Sequence, residues 1–387
     1  ICERLERFAI GIENGESPRL MITMPPRHGK QISHSTPVLT ENRGWITHGE
    51  LVVGDYVFTP SGGSVAVLAL SEESDSNMLV HVSTGESIRC HENHEWTIYD
   101  RRQSKMRTVE TKWLAGTKLT NGPIGSRGGR YNIQLPPVSG LVIEEIPLEF
   151  DPYTLGAWLG DGSRGKPCIS GDKNDYPIIE KINNNGFKTS AAWIHPTTGV
   201  ITTSFAHQGF IQELRRMGCL DEKHIPKRYL YSGVTQRFEL LAGLIDTDGH
   251  CDSKTGRVRF TTADKRLADD VMDLTHSLGF QPYMQVEQPK LSTSGIQGKK
   301  EYYVVGFQQT AHIPCALKRK RAISIDPAQR KRAITKVEFL PNGEKGRCIQ
   351  VDSPDGLYLV GKSLIPTHNS EIGSKTFPSW YLGRNPK

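Results

Sequence analysis

A short pattern occurs twice in the middle of this chain, and it restricts the fold of that region more than any other feature. Residues 154–162 (TLGAWLGDG) and 241–249 (LAGLIDTDG) are both apolar, carry glycine near the centre and end in Asp-Gly. Their flanks repeat as well, with Asp-Lys and Gly-Phe pairs at residues 172–173, 186–187, 264–265 and 279–280. A unit repeated within one chain predicts an internal pseudo-dimer. Amphipathic helical patterns alternate with strand-like ones across residues 146–330, so this region is expected to be α+β.

Both copies resemble the LAGLIDADG signature of homing endonucleases, and the second copy differs from it at one position. The resemblance implies that two motif helices pack together through their small residues and bring Asp161 and Asp248 to one centre. The two carboxylates would bind Mg²⁺ there, which activates water and stabilises the leaving oxygen when double-stranded DNA is cleaved. Asp246 lies one turn too early to join them. A single copy would more often be a capped turn, but the repetition favours the endonuclease.

Basic residues in the same region are candidates for contact with DNA. The resemblance implies antiparallel sheets that lie in the major groove, where Arg257, Arg259 and Lys265 are candidate contacts. Lys299 and Lys300 precede a strand-like run of aromatic and β-branched residues and are candidates for a catalytic lysine. The expected partner is the host gene that lacks the inserted segment.

The sequence on either side of this region has a different pattern. Residues 31–145 and 331–369 contain alternating apolar residues, frequent Gly and Pro, and few long helical patterns. These features are typical of an all-β fold. We therefore expect the two separated segments to form one β domain whose first and last residues meet in a single site.

The two ends of the chain look like halves of one phosphate-binding loop. Residues 24–30 (MPPRHGK) begin a Gly-Lys loop without the Ser or Thr that should follow, and the chain resumes at Ser370 near its other end. Joining Lys30 to Ser370 gives MPPRHGKSE. In such a loop, backbone N–H groups hold phosphate, the lysine pairs with the outer phosphates and the hydroxyl holds magnesium. Gly29, Lys30 and Ser370 are therefore expected to bind nucleotide only after the interruption is removed, unless they are unrelated loop residues.

The restored loop resembles that of phage terminase large subunits, the motors that package DNA. The resemblance covers residues 1–30 and 370–387, which would be the N-terminal and C-terminal fragments of such a host. It implies that the joined host binds ATP and phage DNA.

The segment between the two halves marks its own ends. It begins QISHSTPVLTENRGWITHGELVVGDYV at residue 31 and ends LIPTHN at residues 364–369, and these runs resemble the first and last sequence blocks of inteins. The resemblance implies a mostly β, Hint-type splicing domain shaped like a horseshoe. It also implies that residues 31–369 excise themselves in cis and that Lys30 is ligated to Ser370, without a cofactor.

The first residue of this segment departs from the usual intein pattern. Inteins ordinarily begin with Cys or Ser, whereas Gln31 has only an amide and cannot form an ester or thioester. A rarer group, the class-three inteins, uses an internal Cys and is marked by a dispersed Trp, Cys and Thr. Trp96, Cys348 and Thr367 stand at these positions. The sequence is therefore similar to a class-three intein.

This resemblance assigns the first covalent step. Cys348 would attack the carbonyl of Lys30 while His94 protonates the departing nitrogen of Gln31, because an unprotonated amine leaves poorly. Trp96 is expected to pack against Cys348.

The later steps fall to the C-terminal residues. Ser370 would take the acyl group from sulfur, Asn369 would cyclise with help from His368, and the resulting ester would rearrange to a peptide bond. Thr367 would orient the nucleophile or donate to an oxyanion. Neither Cys90 nor His91 is assigned a role.

Composition excludes several other classes of protein. The seven cysteines contain no CxxC pair, which argues against a disulfide scaffold or a zinc ribbon and favours a reducing cytoplasm. No apolar run has the length of a membrane helix, so no membrane partner is expected. The net charge of +6 is modest, and the basic stretch at residues 318–332 is more typical of a solvated face than of a DNA-binding one.

Two other functions remain open at this point. A hedgehog-type Hint domain would cleave itself without ligation, although Asn369 followed by Ser370 and the restored loop speak against it. Alternatively, the chain would be an inert spacer within a terminase ATPase, the DNA-packaging motor. The flanks are too short to form a motor domain, so any motor function would belong to the joined host.

Overall fold

The computed structural model describes residues 10, 11, 13, 14, 30–126, 128–197, 199–206, 209–220, 222–289, 300–326 and 332–369. Most of the two flanks, together with Gly29, Lys299 and Ser370, therefore lies outside the described residues. Within the described part, no helix is both long and apolar enough to span a membrane.

Short strands joined by tight turns make up the first segment of the β domain. Along the longer strands, buried residues alternate with more exposed ones, because successive side chains of a strand point to opposite faces. The strands are β1 (Ile32–Ser33), β2 (Pro37–Thr40), β3 (Gly44–Thr47), β4 (Tyr56–Phe58), β5 (Ser64–Leu70), β6 (Ser74–Val82), β7 (Ser87–Cys90), β8 (Glu95–Asp100), β9 (Lys105–Glu110), β10 (Thr120–Asn121), β11 (Arg130–Tyr131) and β12 (Ile133–Gln134). A short helix, α1 (Thr111–Ala115), follows β9, and a 3₁₀ turn (His48–Glu50) follows β3.

Helices and strands then alternate through the insert. The helices are α2 (Pro152–Asp161), α3 (Tyr176–Asn184), α4 (Phe210–Arg216), α5 (Lys227–Leu230), α6 (Val234–Asp248) and α7 (Lys265–Ser277). The strands are β13 (Cys168–Gly171), β14 (Trp193–Ile194), β15 (Ile201–Ser204), β16 (Gly249–Cys251), β17 (Arg257–Thr262), β18 (Tyr283–Glu287) and β19 (Tyr302–Gln308), and 3₁₀ turns lie at Lys173–Asp175 and Lys318–Lys320. The chain returns to the β domain with β20 (Ile334–Arg347), β21 (Ile349–Val351), β22 (Leu357–Val360) and β23 (Ile365–His368).

The two separated β segments form one body. Strand β20 pairs with β6 and with β1, and β1 also pairs with β7, so these four strands close into a barrel. Strand β21 joins the edge of the sheet β21-β5-β4-β2-β3, while β22 and β23 form an antiparallel hairpin. The residues on both sides of the insert thus share one core, in which Ile32, Trp96 and Ile365 are fully buried.

Each half of the insert contains a motif helix and an antiparallel sheet. Helix α2 precedes the sheet β13-β15-β14, and helix α6 precedes the sheet β16-β17-β19-β18. The fold class predicted from the sequence, a mostly β domain interrupted by an α+β pseudo-dimer, is confirmed.

The two motif helices pack together through their glycines. A Cβ at Gly156 would lie 2.2 Å from the backbone oxygen of Leu240, and a Cβ at Gly243 would lie 2.2 Å from the backbone oxygen of Tyr153. Only residues without a side chain allow this approach. The close crossing makes the two helices end side by side, at Asp161 and Asp248.

A buried arginine ties the insert to the segment that leads into it. Arg237 donates to the backbone oxygens of Ser232, Ser277 and Leu141, and the Leu141 N–H donates to the oxygen of Ser277 at 2.8 Å. The same segment bonds back to the β domain, since the Ser139 N–H donates to the oxygen of Pro60. Burial of this kind is tolerated only because each guanidinium nitrogen has a partner.

We predict that Gly156→Ala destabilises the chain by about 3 kcal/mol or more, because the new methyl group meets backbone rather than a movable side chain. Urea denaturation of the full chain measures this loss. Gly63→Ala is the control, since a Cβ there meets no atom within 4 Å. Equal stability of the two variants would show that the helices do not cross as described.

Candidate functional site

The peptide bond between Lys30 and Gln31 lies in the interior of the β domain. Lys30 is 7% exposed and Gln31 is 2% exposed. The residue that follows, Ile32, pairs with Arg347 on one side and with Cys90 on the other. The oxygen of Gln31 accepts a hydrogen bond of 3.0 Å from the N–H of the residue after Cys90. Backbone pairing on two sides therefore fixes the chain directly after this peptide bond.

His94 binds the carbonyl group of this junction. Its Nδ1 lies 2.7 Å from the oxygen of Lys30, and its Nε2 lies 2.5 Å from the hydroxyl of Thr367. A carbonyl oxygen can only accept, so Nδ1 carries the proton, Nε2 accepts and Thr367 donates. Burial lowers the pKa of His94 to about 3, which keeps the ring neutral. The sequence predicts that His94 protonates the departing nitrogen of Gln31. In the structure, its Nδ1–H instead points at the carbonyl oxygen of Lys30.

Trp96 and Thr111 support His94 from behind. The ring of Trp96 lies edge-on to that of His94, with centroids 5.2 Å apart. The indole N–H donates to the hydroxyl of Thr111 at 2.9 Å, and this hydroxyl donates to the backbone oxygen of His94 at 3.0 Å. The sequence analysis expected Trp96 to pack against Cys348, whereas these contacts fix the histidine. No sequence motif predicts this role for Thr111.

Cys90 is part of the core behind the same histidine. Its sulfur lies 3.4 Å from the Thr111 hydroxyl, and burial raises the pKa of its thiol to about 12. A thiol of this kind is neutral and a poor nucleophile.

The C-terminal junction has a similar arrangement. Nδ1 of His368 lies 2.8 Å from the backbone oxygen of Asn369, which again can only accept. The side-chain nitrogen of Asn369 donates to the oxygen of Val351 at 3.2 Å, and its backbone N–H donates to the oxygen of Gly356 at 2.7 Å. Gly356 has φ +69°, and a Cβ there would lie 2.9 Å from Oδ1 of Asn369. Ser370, the expected second nucleophile, lies outside the described residues.

Cys348 is buried between strands β20 and β21. It directly follows Arg347, the residue paired with Ile32, and is 3% exposed. Its N–H donates to the Ser71 hydroxyl at 2.8 Å. Burial raises the pKa of Tyr358 well above its usual value, and the nearby Cys348 raises it further.

Tyr358 and His48 form a second buried polar pair that the sequence analysis missed. The Tyr358 hydroxyl lies 2.9 Å from Nε2 of His48, and Tyr358 stands opposite Thr367 in the hairpin β22–β23. Burial lowers the pKa of His48 to about 3. The two residues are 310 positions apart, so no sequence pattern connects them.

In the insert, Asp161 and Asp248 lie close together where α2 and α6 end, with Asp161 partly buried and Asp248 exposed to solvent. Burial, followed by the charge of Asp248, raises the pKa of Asp161 to about 7. The protein atoms around Asp248 displace water from its carboxyl group and raise its pKa as well, while the charges of Lys223 and Lys320 oppose this effect. Two carboxylates forced together in this way gain from a shared cation.

These two residues fit a divalent metal site with few protein ligands. Among the described residues, no cluster of three or more His, Cys, Asp or Glu side chains has the spacing to hold a metal ion. Magnesium is commonly bound by one or two carboxylates, with waters and substrate phosphates as the other ligands. Asp161 and Asp248 would therefore hold such an ion only together with DNA phosphate.

Asp246 has a structural role. Its carboxylate accepts from the Tyr153 hydroxyl at 2.8 Å and from the backbone N–H groups of Ala316 and Leu317 at 2.7 and 3.1 Å. These bonds attach the basic segment after β19 to the motif helix, in agreement with its exclusion from the acidic pair.

The lysines beside the acidic pair differ from those expected. The Nζ of Lys223 donates to the oxygen of Gly160 at 2.6 Å, and Lys320 donates to the oxygen of Gly249. Both act electrostatically on Asp161. Of the lysines proposed from the sequence, Lys300 only precedes β19, and Lys299 lies outside the described residues.

The three candidate DNA contacts separate into two groups. Arg257 and Arg259 are exposed on one face of β17, where they alternate with buried Val258. Arg259 also pairs with a glutamate of β18 at 3.1 Å. Lys265 instead begins helix α7 and pairs with Asp269 at 2.7 Å, so it does not belong to that sheet face.

Comparison with known proteins gives one family match and two relatives by sequence. Residues 235–305, which begin within α6, match the LAGLIDADG-like domain family. The chain is 30% identical over 379 residues to a replicative DNA helicase DnaB of Mycobacterium intracellulare, covering 92% of this chain and 61% of the helicase. It is 26% identical over 141 residues to an iron-sulfur cluster assembly SufBD family protein of Mycobacterium leprae, covering 34% of this chain and 16% of that protein. The chain thus spans less than two thirds of either relative.

Two solved structures also align with the chain. A crystal structure of the MchDnaB-1 intein covers 87% of this chain and 98% of its own, with 11% identity and a TM-score of 0.26. The homing endonuclease I-DmoI in complex with DNA and Mn covers 41% of this chain and 88% of its own, with 16% identity and a TM-score of 0.29. Both TM-scores lie below 0.5, and both identities lie below 25%. By sequence, residues 235–305 match the LAGLIDADG-like family, and the chain is similar over most of its length to part of a DnaB helicase.

Proposed function

We propose that residues 31–369 are a self-splicing intein that joins Lys30 to Ser370. The observation that carries this proposal is that the carbonyl oxygen at each junction accepts a hydrogen bond from a buried imidazole. His94 binds the oxygen of Lys30 at 2.7 Å, and His368 binds that of Asn369 at 2.8 Å. Donors fixed on a carbonyl oxygen stabilise the negative charge that develops there during acyl transfer.

We further propose that the intein is of class three, with Cys348 as the first nucleophile. The side chain of Gln31 ends in an amide, which cannot act as the nucleophile. The Oε1 atom of this amide is buried without a hydrogen-bond partner among the described residues. Cys348 directly follows the residue that pairs with Ile32, so the antiparallel register brings its backbone next to that of Gln31. The sulfur would attack the Lys30 carbonyl carbon after losing its proton.

The first step would transfer the acyl group of Lys30 from the nitrogen of Gln31 to the sulfur of Cys348. The electrons of the carbonyl double bond move onto the oxygen, which His94 holds through Nδ1–H. When they return, the bond from carbon to the nitrogen of Gln31 breaks, and that nitrogen takes up a proton equivalent to the one lost by Cys348. The products are a thioester on Cys348 and a free amine on Gln31. Thr367 would hold the ring of His94 in place by donating to Nε2, whereas the sequence predicted that it orients the nucleophile or donates to an oxyanion.

The last steps take place at the other junction. Ser370 would take the acyl group from sulfur and form an ester. The side-chain nitrogen of Asn369 would then attack its own carbonyl carbon and release Ser370, while His368 donates to the oxygen of that carbonyl. The freed amine would displace the ester oxygen to give the ordinary peptide bond. These steps need no cofactor, and free thiols suit a reducing cytoplasm, where we place the protein.

For the insert we propose cleavage of double-stranded DNA at the uninterrupted host gene. Asp161 and Asp248 lie close together at the ends of the crossing motif helices, and residues 235–305 match the LAGLIDADG-like family. Magnesium bound there would activate water and stabilise the leaving oxygen. Arg257 and Arg259 would contact the major groove from the exposed face of β17.

The host is proposed from its short flanks. The loop MPPRHGKSE favours a terminase large subunit, which after splicing would bind ATP through Gly29, Lys30 and Ser370 and act on phage DNA. A DnaB-type helicase is the second candidate, favoured by the 30% identity to such a protein. In either host, ligation would restore the nucleotide-binding loop.

Two alternatives lead to different products. A Hint-type domain that cleaves without ligation would release residues 1–30 but never join them to residues 370–387. An inert spacer in an ATPase motor would stay intact. Mass spectrometry of the full chain after incubation with a reducing agent separates all three outcomes.

Our first prediction here concerns the nucleophile. Cys348→Ala should stop cleavage between Lys30 and Gln31, leaving slow release of the C-terminal segment, and Gln31→Ala should still splice because its side chain performs no covalent step. Ser370→Ala should accumulate a thioester that hydroxylamine discharges.

Mass spectrometry follows all of these species. Cys168→Ala, which removes a buried cysteine of the insert, is the control and should splice normally. Normal splicing of Cys348→Ala would contradict the class-three proposal, as would failure of a folded Gln31→Ala.

A second prediction concerns the tautomer of His94. In the Cys348→Ala chain, which keeps its junction, the ¹⁵N shifts of His94 should report a neutral ring with the proton on Nδ1 at pH 6, because burial lowers its pKa to about 3. Thr367→Val should remove the donor to Nε2 and shift the ¹⁵N resonance of that nitrogen, while the proton stays on Nδ1 because the Lys30 oxygen still accepts it. Thr97→Val, whose hydroxyl lies 3.4 Å from that of Thr108, is the control. A cationic ring would overturn the assignment.

A third prediction tests the endonuclease. The full chain with Mg²⁺ should linearise a plasmid that carries the uninterrupted host junction, and Asp161→Asn or Asp248→Asn should abolish cleavage. Asp269→Asn, an exposed change on α7, should cleave as the native chain does. Plasmids with a terminase and a helicase junction distinguish the two hosts. No cleavage of either plasmid by the native chain would mean that the insert is not an active endonuclease on these targets.

A further inference from the structure

The side chain of Lys30 has a partner of its own. Its Nζ lies 2.5 Å from Oε2 of Glu95, with the two side chains 7% and 22% exposed. Glu95 directly follows His94, which binds the backbone oxygen of the same lysine. Two consecutive residues therefore hold the residue before the junction, one by its carbonyl group and one by its charge.

We propose that Glu95 determines specificity for the residue that precedes the N-terminal splice junction, and that it selects lysine there. This inference rests on the proposed splicing function. The ion pair would set the position of the lysine and hence of the carbonyl carbon that the nucleophile attacks.

The surroundings of Glu95 explain why a cation is needed. Glu110 stands directly opposite it in the β8–β9 ladder, but Glu110 pairs with Lys112 at 2.8 Å. Nδ1 of His368 is 3.8 Å away and already donates to the oxygen of Asn369. Lys30 is thus the cation in direct contact with Glu95. A neutral residue at position 30 would leave the Glu95 carboxylate largely buried and unpaired, and an acidic one would repel it.

The contact is suited to selection rather than to stability of the excised product. Lys30 belongs to the flank that the proposed reaction transfers to Ser370, so the ion pair exists only before the flank departs. A contact present in the precursor and absent from the product cannot have been kept for the product's stability. Its energy is available to orient the Lys30 carbonyl on His94.

The selected residue is also the one that the host loop requires. Lys30 is the lysine of the Gly-Lys-Ser sequence that ligation restores. A phosphate loop loses its phosphate contact without this lysine. Glu95 therefore matches the intein to insertion points that directly follow a phosphate-loop lysine, where the host cannot change the residue without losing nucleotide binding.

A double-mutant cycle on the rate of cleavage between Lys30 and Gln31 tests this inference. Lys30→Met and Glu95→Gln should each slow cleavage about 10- to 100-fold, as expected for loss of a charged hydrogen bond. The double variant should be little slower than either single one, because both remove the same contact. The exchange Lys30→Glu with Glu95→Lys should recover much of the rate that Lys30→Glu loses. Glu110→Gln, the carboxylate opposite Glu95, is the matched control and should leave the dependence on Lys30 unchanged.

A second measurement separates this inference from the splicing proposal. In the Cys348→Ala background, urea denaturation is applied to the parent chain, Lys30→Met, Glu95→Gln and the double variant. The four free energies of unfolding report the coupling between Lys30 and Glu95 without any splicing chemistry. Coupling in a native chain that never cleaves would retain the ion pair but overturn both its role in selection and the splicing proposal. Splicing by the native chain at equal rates with lysine and methionine at position 30 would overturn the selection by Glu95 alone. Additive effects of Lys30→Met and Glu95→Gln on the cleavage rate would do the same.

Discussion

The pairing of strand β1 between β20 and β7 is the constraint on which the rest of the site depends. Ile32 pairs with Arg347 and Cys90, which fixes the register of the residue before it, Gln31, and of the residue after Arg347, Cys348. A slip by one residue would turn every side chain of β1 to the opposite face. The junction carbonyl would then no longer meet His94. A short strand thus sets the geometry because both of its edges are paired.

Burial strengthens the hydrogen bonds of the junction groups and makes an unpaired polar group there costly. In a medium of low polarity, a hydrogen bond to a carbonyl oxygen is stronger than in water, but a group left without a partner costs more. The site meets both conditions with neutral groups. His94 stays uncharged because of burial, Thr367 satisfies its second nitrogen, and Thr111 satisfies its backbone oxygen. Lys30 is the charged exception, and Glu95 compensates for it.

The insert coexists with this site because the chain leaves and re-enters the β domain at one place. Gln134 forms a bridge with Ala333, and the N–H of Leu135 donates to the oxygen of Arg332 at 2.8 Å. The two ends of the insert are therefore already adjacent, so the barrel closes without distortion. A smaller hydrophobic cluster links the two parts further. It contains Leu39 and Leu141 of the β domain and packs against Tyr231 of the insert.

The sequence by itself determined the two-part organisation, because hydrophobic periodicity and a repeated motif depend only on neighbouring residues. The LAGLIDADG resemblance also predicted that small residues let the motif helices pack together. It named Asp161 and Asp248, rather than Asp246, as the candidate metal ligands. Only the tertiary structure decided what each junction group contacts. The direction of the His94 N–H, the support from Thr111 and the Lys30–Glu95 pair all join residues distant in sequence. Their positions depend on strand register and burial, which no local pattern records.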